Sequence, residues 1–476
     1  MDILQQLKGL GFDTVPEDFY RLIDGWKEWY DGDVRKFHSY HIYNGQSNVL
    51  CHRYGMGMAK KVCEDWANLL MNEKVHVTLE GEKEQEFLDT VLKGSNFTVK
   101  ANEMQELKCA YGTVAYVPRV VGVPVNKETG NVVGTAENII LDYVYGKNVL
   151  PLSWSNGEVT ECAFATEHVT DNDKYVYMQV HRLNSQKEYD IENHLYDNND
   201  GSLTEIKLTD SKLFENIPPV VHTHSKERQF VIDRMNVVNN ADPTLPMGVA
   251  IFSNAIDNLK ACDIAYDSYV NEFVLGKKRV MVKAEATKDF DGNPFFDPDD
   301  LAFYMMPEDS EAGSMIHEIN MELRAAQHNA GIQDMLNLLS AKVGFGENHY
   351  KFNQGSIATA TQIISENSTL FRTIKKHEIV LETVLERLTK IILRMGNQFM
   401  NAGLNEDVEM SIDFDDSIIE DKQTDFGRDV QMLSMGIIQP YEFRMKWMNE
   451  DEETAKKALP QMTQMMGGIE EIEGEE

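Results

Sequence analysis

The sequence predicts an α+β fold, and three patterns predict it. Between Ala110 and about Val238 apolar residues recur with a period of two, whereas on either side they recur at three and four. From Ala341 a polar, glycine-punctuated loop runs to Gly355 and opens into one very long helix. On that helix Ile357, Ala360, Ile364, Phe371, Ile374, Leu381, Leu385, Leu388, Ile392, Met395 and Phe399 recur at steps of three, four or seven, with no proline among them. Ser356 stands where an N-cap hydroxyl is wanted, and Gly403 marks the stop. At 1.5 Å per residue its ~46 residues would span roughly 69 Å, too long for the core of an ordinary compact domain. A helix this long braces a large assembly, and the loop before it is presented to something.

Taken in order, residues 1–100 read as mainly helical. Glu17 to Tyr30 carries Phe19, Leu22, Ile23, Trp26 and Trp29, and Met58 to Asn72 carries Val62, Trp66, Leu69 and Leu70 on one face. A short alternating strand follows at Val75–Leu79. Strands are then predicted at Tyr111–Pro118, Ile139–Tyr145, Glu161–Ala165, Lys174–Leu183, Asn193–Tyr196 and Ser202–Leu208, with turn signals at Thr129-Gly130, Asn156-Gly157 and Asn199-Asp200-Gly201. Pro243 and Pro246 end this β-rich module. Helical spacing returns from Gly248 to Phe273, then a basic strand at Lys277–Lys283, a turn near Asp291-Gly292, and a second helix from about Ser314 to Leu339. Each helix is expected to run about 25 residues, ~38 Å, like a stalk with a small tip. After the long helix come a strand at Val408–Phe414, a helix at Asp425–Met435 stopped by Gly436, and another from Tyr441 with Pro440 at its first position. The tail from Gly467 is acidic and is expected to be disordered.

A chain of 476 residues has room for two to four modules, and 42% hydrophobic with 26% charged residues is ordinary for a folded protein. The net charge of −33 is not ordinary. It excludes a nucleic-acid binder that grips phosphates by releasing counterions; such a chain either repels DNA or carries acidity only for solubility. Cys51, Cys63, Cys109, Cys162 and Cys262 are odd in number and widely spaced, which fits a reducing compartment and buried thiols. No signal peptide or membrane span is read, pointing to a cytoplasmic product with no membrane partner.

Chemical motifs fail on inspection. Gly55-Met-Gly57-Met-Ala-Lys60 lacks the ending of a phosphate loop, and Gly344-Phe-Gly346 lacks the third glycine of a dinucleotide fingerprint. Asp289-Phe-Asp291-Gly-Asn293 has Pro294 and Asp300 where a calcium loop needs Gly and Glu. His222 and His224 would share one side of a strand but lack a third ligand. The expectation is no catalytic residue, no metal and no cofactor.

The order of parts resembles the portal proteins of tailed bacteriophages, in particular the branch in long-tailed phages of Gram-positive hosts. The likeness rests on the helix–tip–helix at 248–339, the loop at 341–356 and the long helix at 357–402. It rests also on the ending Met432-Leu-Ser-Met-Gly-Ile-Ile-Gln-Pro440, and on Trp29-Tyr30, Tyr40–Gly45 and Met58–Glu73 near the start. Gln439 stands where Ser or Thr is commoner. The resemblance implies a wing (1–247), a first stem helix (248–275), a clip (276–313), a second stem helix (314–340), a tunnel loop (341–356), a long wing-spanning helix with a returning strand (357–414), and a crown with an acidic tail (415–476).

It further implies a homo-oligomeric ring, of twelve subunits in the virion, at the capsid vertex through which double-stranded DNA passes without sequence specificity. Its partners would be the terminase motor, scaffold, major capsid protein and head-completion adaptor. An acidic channel suits that task, because bound phosphate would stall the DNA. Within this reading Lys342, Gly344, Gly346, Glu347, Asn348, His349, Tyr350, Lys351, Asn353 and Gln354 form a DNA-facing loop made mobile by its glycines, and its stretch Gly346–Gln354 has no apolar anchor beyond Tyr350 and Phe352. Lys277, Lys278 and Arg279 at the start of the clip either meet a partner or charge an exposed strand edge. Two other readings compete: a capsid-associated interaction protein with a coiled-coil strut, and a metal-dependent hydrolase centred on His222 and His224.

Overall fold

The computed structural model describes residues 3–71, 75–122, 124, 126, 133–170, 173–199, 201–283, 303–306, 316–352, 360–414, 422–448, 450 and 452–458. They belong to two compact units, Met1–Phe414 and Asp415–Glu476.

The first unit begins with α1 (Ile3–Gly9) and α2 (Glu17–Asp31). Phe19, Ile23, Trp26 and Trp29 of α2 are buried at helical spacing, while Leu22, expected beside them, is 42% exposed. The short α3 (Arg35–His38) leads into a hairpin that the periodicity did not indicate, β1 (Ser39–Tyr43) and β2 (Asn48–His52). Then come α4 (Met58–Leu70), β3 (His76–Leu79), α5 (Glu82–Gly94) and α6 (Phe97–Tyr111). The strand expected from Tyr111 starts two residues later because α6 runs through Tyr111. Gly112 (φ 81°) ends that helix where a Cβ would lie 2.4 Å from the Gly248 carbonyl oxygen, so only glycine fits the crossing.

The β-rich region forms two antiparallel sheets. β4 (Thr113–Val121), β5 (Asn138–Tyr145) and, much later in the chain, a strand at Val231–Arg234 make the first, in the order Val231–Arg234, β4, β5. The second holds β6 (Val149–Ser155), β7 (Glu158–Val169), β8 (Lys174–Leu183), β9 (Tyr189–Asp197), β10 (Thr204–Ile206) and β11 (Val220–His222), and the strand at Val231–Arg234 is β12. Its order is β10-β9-β8-β7-β6, with β11 also paired to β9. Asn156 and Gly157 (φ 52° and 80°) make the two-residue turn between β6 and β7, as the Asn-Gly pair predicts. Ala115, Val117, Val144, Val149, Val159, Cys162, Phe164 and Phe230 form a core cluster drawn from both sheets. Thr129-Gly130 lies outside the described residues.

After this module α7 (Ile256–Leu275) and α8 (Ala325–Lys342) pack on one another and bracket a small sheet. Its strands are β13 (Arg279–Lys283), β14 (Phe303–Met306) and β15 (Ile316–Ile319), with β14 parallel and β15 antiparallel to β13. Residues 316–319 were expected to open the second helix. Ile316 and Ile319 fit a helical stripe, but pairing with Arg279–Val282 makes the segment a strand. The tip therefore reaches at least Ile319. At 20 and 18 residues the helices span about 30 and 27 Å, shorter than the ~38 Å expected. Asp291-Gly292 and the calcium-like stretch lie outside the described residues.

α9 (Ala360–Met400) is a single helix of 41 residues, about 62 Å long. Ile374, Leu381, Leu385, Leu388, Ile392, Met395 and Phe399 are all buried, and the helix packs against α4, α5, β4, β5 and β12. Gly403 (φ 64°) follows its end, whereas Ser356 lies outside the described residues. The chain returns as β16 (Met410–Asp413), antiparallel to β3.

The second unit holds α10 (Lys422–Ser434), α11 (Pro440–Met448) and α12 (Glu452–Lys457). Asp429 accepts hydrogen bonds from Lys446 Nζ (2.6 Å) and Trp447 Nε1 (3.1 Å), and Phe426 meets the Trp447 ring edge-on at 5.1 Å. Gln439 precedes Pro440 without a hydroxyl. The Glu442 carboxylate nevertheless accepts from the Gln439 N–H at 2.7 Å, the reciprocal half of a capping box. The acidic tail from Gly467 lies outside the described residues.

Candidate functional site

The segment between α8 and α9 is built on three helices. α8 ends with Gly344 in the left-handed region (φ 93°), and the Phe345 N–H reaches back to the Ser340 carbonyl at 3.0 Å, the 6→1 bond of a Schellman ending. This turn throws Phe345 onto Trp66 of α4. The rings stack at 4.9 Å and 18°, and Trp66 Nε1–H donates to the Val343 carbonyl at 3.1 Å. A Cβ at Gly344 would stand 3.0 Å from Thr373 and 3.3 Å from Trp66, so glycine is needed for both the turn and the approach. His377 of α9 also presses edge-on against Trp66, at 5.0 Å. Its Nδ1 accepts from the Asn236 N–H, and burial holds its pKa down to about 3, so the ring is neutral.

The loop continues across this platform. His349 stacks on Phe345 at 4.2 Å, and Tyr350 packs edge-on to Phe345 at 5.7 Å. Gln333 of α8 clamps the far side: its Nε2 donates to the Tyr350 carbonyl and its Oε1 accepts from the Phe352 N–H, both at 2.8 Å. Phe352 in turn meets Tyr269 of α7 at 6.2 Å. Burial, then the neighbouring Asp65 charge, pushes the Tyr350 phenol far above its usual range. Burial alone would raise the Asp65 carboxyl, but the nearby His349 ring, 3.9 Å away, and the hydrogen-bonded Lys61 ammonium outweigh it and hold the group below the ordinary carboxylate value.

The ten residues expected to face DNA thus divide. Lys342, Glu347 and Lys351 are exposed, and Asn348 is half-buried with φ 64°. Gly344 and Gly346 are fixed in the left-handed region, and Tyr350 is buried, so these three are anchors and corners of a seated turn. His349 has one ring face on Phe345. Asn353 and Gln354 lie outside the described residues. Phe345, 2% exposed and just ahead of the Gly346–Gln354 stretch, is a further anchor beside Tyr350 and Phe352. Its signal in the sequence was an aromatic residue framed by two glycines. The partners Trp66 and Gln333 lie too far along the chain for any local pattern to pair them with it.

At the tip, Lys277 and Lys278 are exposed just before β13, and Arg279 is its half-buried first residue. Lys278 pairs with Glu318 of β15 at 2.5 Å. Midway along α7 are two buried carboxylates that the sequence did not single out. Asp263 Oδ1 accepts from the Met56 N–H (2.7 Å) and Asp267 Oδ1 from the Tyr54 N–H (3.0 Å). Met56 belongs to the stretch that imitated a phosphate loop and Tyr54 just precedes it; acids hold both backbone donors, and no phosphate is called for. His38 Nδ1 accepts from the Val34 N–H, which leaves Nε2–H to donate to Asp263 at 3.1 Å. Glu272 of α7 is held down to about 2 by its hydrogen bonds to Arg324, which join α7 to the start of α8.

His222 and His224 each engage a single carboxylate, Asp190 at 2.8 Å and Glu188 at 3.1 Å. Among the described residues no group of three or more His, Cys, Asp or Glu side chains could hold a metal ion. No described helix is long and apolar enough to cross a membrane.

Comparison with known proteins gives one decisive result. A family model described as "Phage portal protein, SPP1 Gp6-like" matches residues 16–466, nearly the whole chain. A search of curated proteins found no match. Among solved structures, a chain titled "Virion of native gene transfer agent (GTA) particle" is similar, with 10% sequence identity over 82% of this chain and 88% of that one. Its TM-score of 0.35 is too low to add to the assignment. The helix–tip–helix, the loop seated on α4 and the long helix α9 are therefore parts of a virion component, and the chain belongs to the SPP1 Gp6-like family of phage portal proteins.

Proposed function

We propose that this portal protein closes into a homo-oligomeric ring, twelve copies in the virion, at one capsid vertex, and that double-stranded DNA is packaged and ejected through its centre. The carrying observation is the outer face of α7. Ile264 and Leu275 are 48% and 61% exposed on one face of the helix, and Phe273 and Val274 are 46% and 45% exposed beside them, an apolar surface that a neighbouring copy would cover. Head-to-tail contacts between identical copies close into rings, and a net charge of −33 suits a channel that must not hold phosphate.

In this reading residues 1–247 form the wing, α7 and α8 the stem, β13–β15 the clip, and α10–α12 with the tail the crown. Lys342, Glu347, Asn348, Lys351, Asn353 and Gln354 present the tunnel surface, carried on the anchor of Phe345 and Tyr350. Lys277, Lys278 and Arg279 face the terminase motor or the head-completion adaptor, and scaffold and major capsid protein meet the ring from outside. The branch found in long-tailed phages of Gram-positive hosts is the proposed origin, with assembly in the host cytoplasm. The protein acts by structure, without catalysis, metal or cofactor. Negative-stain microscopy of purified protein tests the reading: rings with a central hole are expected, and a single-chain species at micromolar concentration across a range of salt would overturn it.

A further inference from the structure

The β1–β2 hairpin carries large apolar side chains into solvent. All residues from His41 to Leu50 are exposed, although the strands are paired in register from Ser39–His52 to Tyr43–Asn48. Both faces are bare. Ile42 and Val49 are 49% and 42% exposed on one, and Tyr43 and Leu50 are 66% and 64% exposed on the other. A two-stranded hairpin with uncovered faces is marginal in water, and its two edges carry neither Lys nor Pro to discourage pairing. Its base, by contrast, is fixed: Arg53 lies over the rings of Phe37 and Tyr40, and His38 is tied to Asp263 of α7. The hairpin is a rigidly rooted arm.

Its chemistry says what it touches. The chain carries 78 acidic and 45 basic residues, yet no Asp, Glu, Lys or Arg lies between Ser39 and His52. Two copies of so acidic a chain repel, and a contact between them is least costly where both surfaces lack charge. The stripe of α7 that faces away from its own chain is such a surface, with Ile264, Ser268 and Leu275 exposed and uncharged. A five-residue strand extends about 17 Å. That exceeds the 8–10 Å or so between packed helices. An arm rooted on α7 of one copy therefore has the reach to lie on α7 of the next. We propose that the β1–β2 arm is the head-to-tail connector of the ring, packing Ile42 or Leu50 onto the Ile264–Leu275 stripe of the adjacent copy. This rests on the ring reading above and names the contact that closes it.

The test uses the full chain. Ile42→Asp with Leu50→Asp places two charges on a segment that buries nothing within its own copy. Circular dichroism and melting of the dissociated chain should be unchanged, while light scattering and microscopy should show the ring lost to single chains. Rings forming as in the wild type would overturn the arm contact and leave the ring reading standing. A wild type that never forms rings would overturn both. Independently, Ile42→Cys or Leu50→Cys, each with Ile264→Cys in a Cys51→Ser background, should in one of the two pairings give, on oxidation, a ladder of covalent multimers in a non-reducing gel. Intact rings that yield no ladder would assign the arm to a different occupant, such as a capsid or scaffold protein, and overturn the proposal.

Discussion

Truncating Phe345 tests whether the loop before the long helix is seated or free. The side chain is 2% exposed, stacked between Trp66 at 4.9 Å and His349 at 4.2 Å. Phe345→Ala removes the buried ring, leaves a cavity against Trp66 and ends two aromatic stacks. Large-to-small changes of this kind cost about 3–5 kcal/mol, of which each stack supplies roughly 1. Taking about 3 kcal/mol, the equilibrium for lifting the turn off α4 should shift roughly 100-fold. Hydrogen exchange reads this directly, because the Phe345 amide is protected only by Ser340 and the Phe352 amide only by Gln333 while the turn stays seated. Both amides should exchange roughly 100-fold faster, with β7 and β8 unchanged. Glu347→Ala, at an exposed position of the same turn, should alter exchange by less than about threefold, as surface changes do. Phe345→Ala exchanging like Glu347→Ala would refute the anchored turn and restore a freely mobile loop.

Three further outcomes follow from buried groups. Lys108 Nζ sits 3.1 Å from both oxygens of Asp233, with the pair 1% and 0% exposed, so Asp233→Ala should cost about 3–5 kcal/mol in urea unfolding. Adding Lys108→Met should recover much of that loss. His377 and His181 are held down to about 3 by burial, below the unfolded value near 6.5. The unfolded chain then binds more protons between those values, so stability should fall as pH drops from about 6.5 toward 3, and His377→Gln should flatten the urea midpoint against pH. Burial raises the thiols of Cys63, Cys109, Cys162 and Cys262, so in a thiol-reagent titration of dissociated native chains only the half-exposed Cys51 should react quickly.

Residues whose neighbours along the chain decide their state were legible. The stripe from Ile374 to Phe399 could be drawn because a helix buries one face at a fixed angular step, whatever it packs against. Lys174–Leu183 matches β8 to the residue, and Asn156-Gly157 made its turn, because alternation and left-handed propensity are local. Gly436 and Pro440 bounded their helices for the same reason. The tip misled: Ile316 and Ile319 satisfy a helical stripe, and only β13 alongside them selects a strand. In the loop, Gly344, Gly346 and many polar residues read as mobility, and no local pattern showed that Gly344 also supplies the bend that seats Phe345.

By itself the sequence determined an acidic α+β chain with a β-rich module, a helix–tip–helix, one long bracing helix and a portal-like order of parts. The elements and the acidity follow from periodicity, turn chemistry and net charge, which are summed along the chain, while the portal-like order is a resemblance to a known family. Only the tertiary structure decided that Trp66 contacts both Phe345 and His377, 279 and 311 residues away along the chain, or that Asp263 and Asp267 hold the backbone at Met56 and Tyr54. It also decided that the β1–β2 arm is left bare. Such pairings join residues hundreds of positions apart, where spacing carries no information and packing and hydrogen-bond satisfaction alone select the partner.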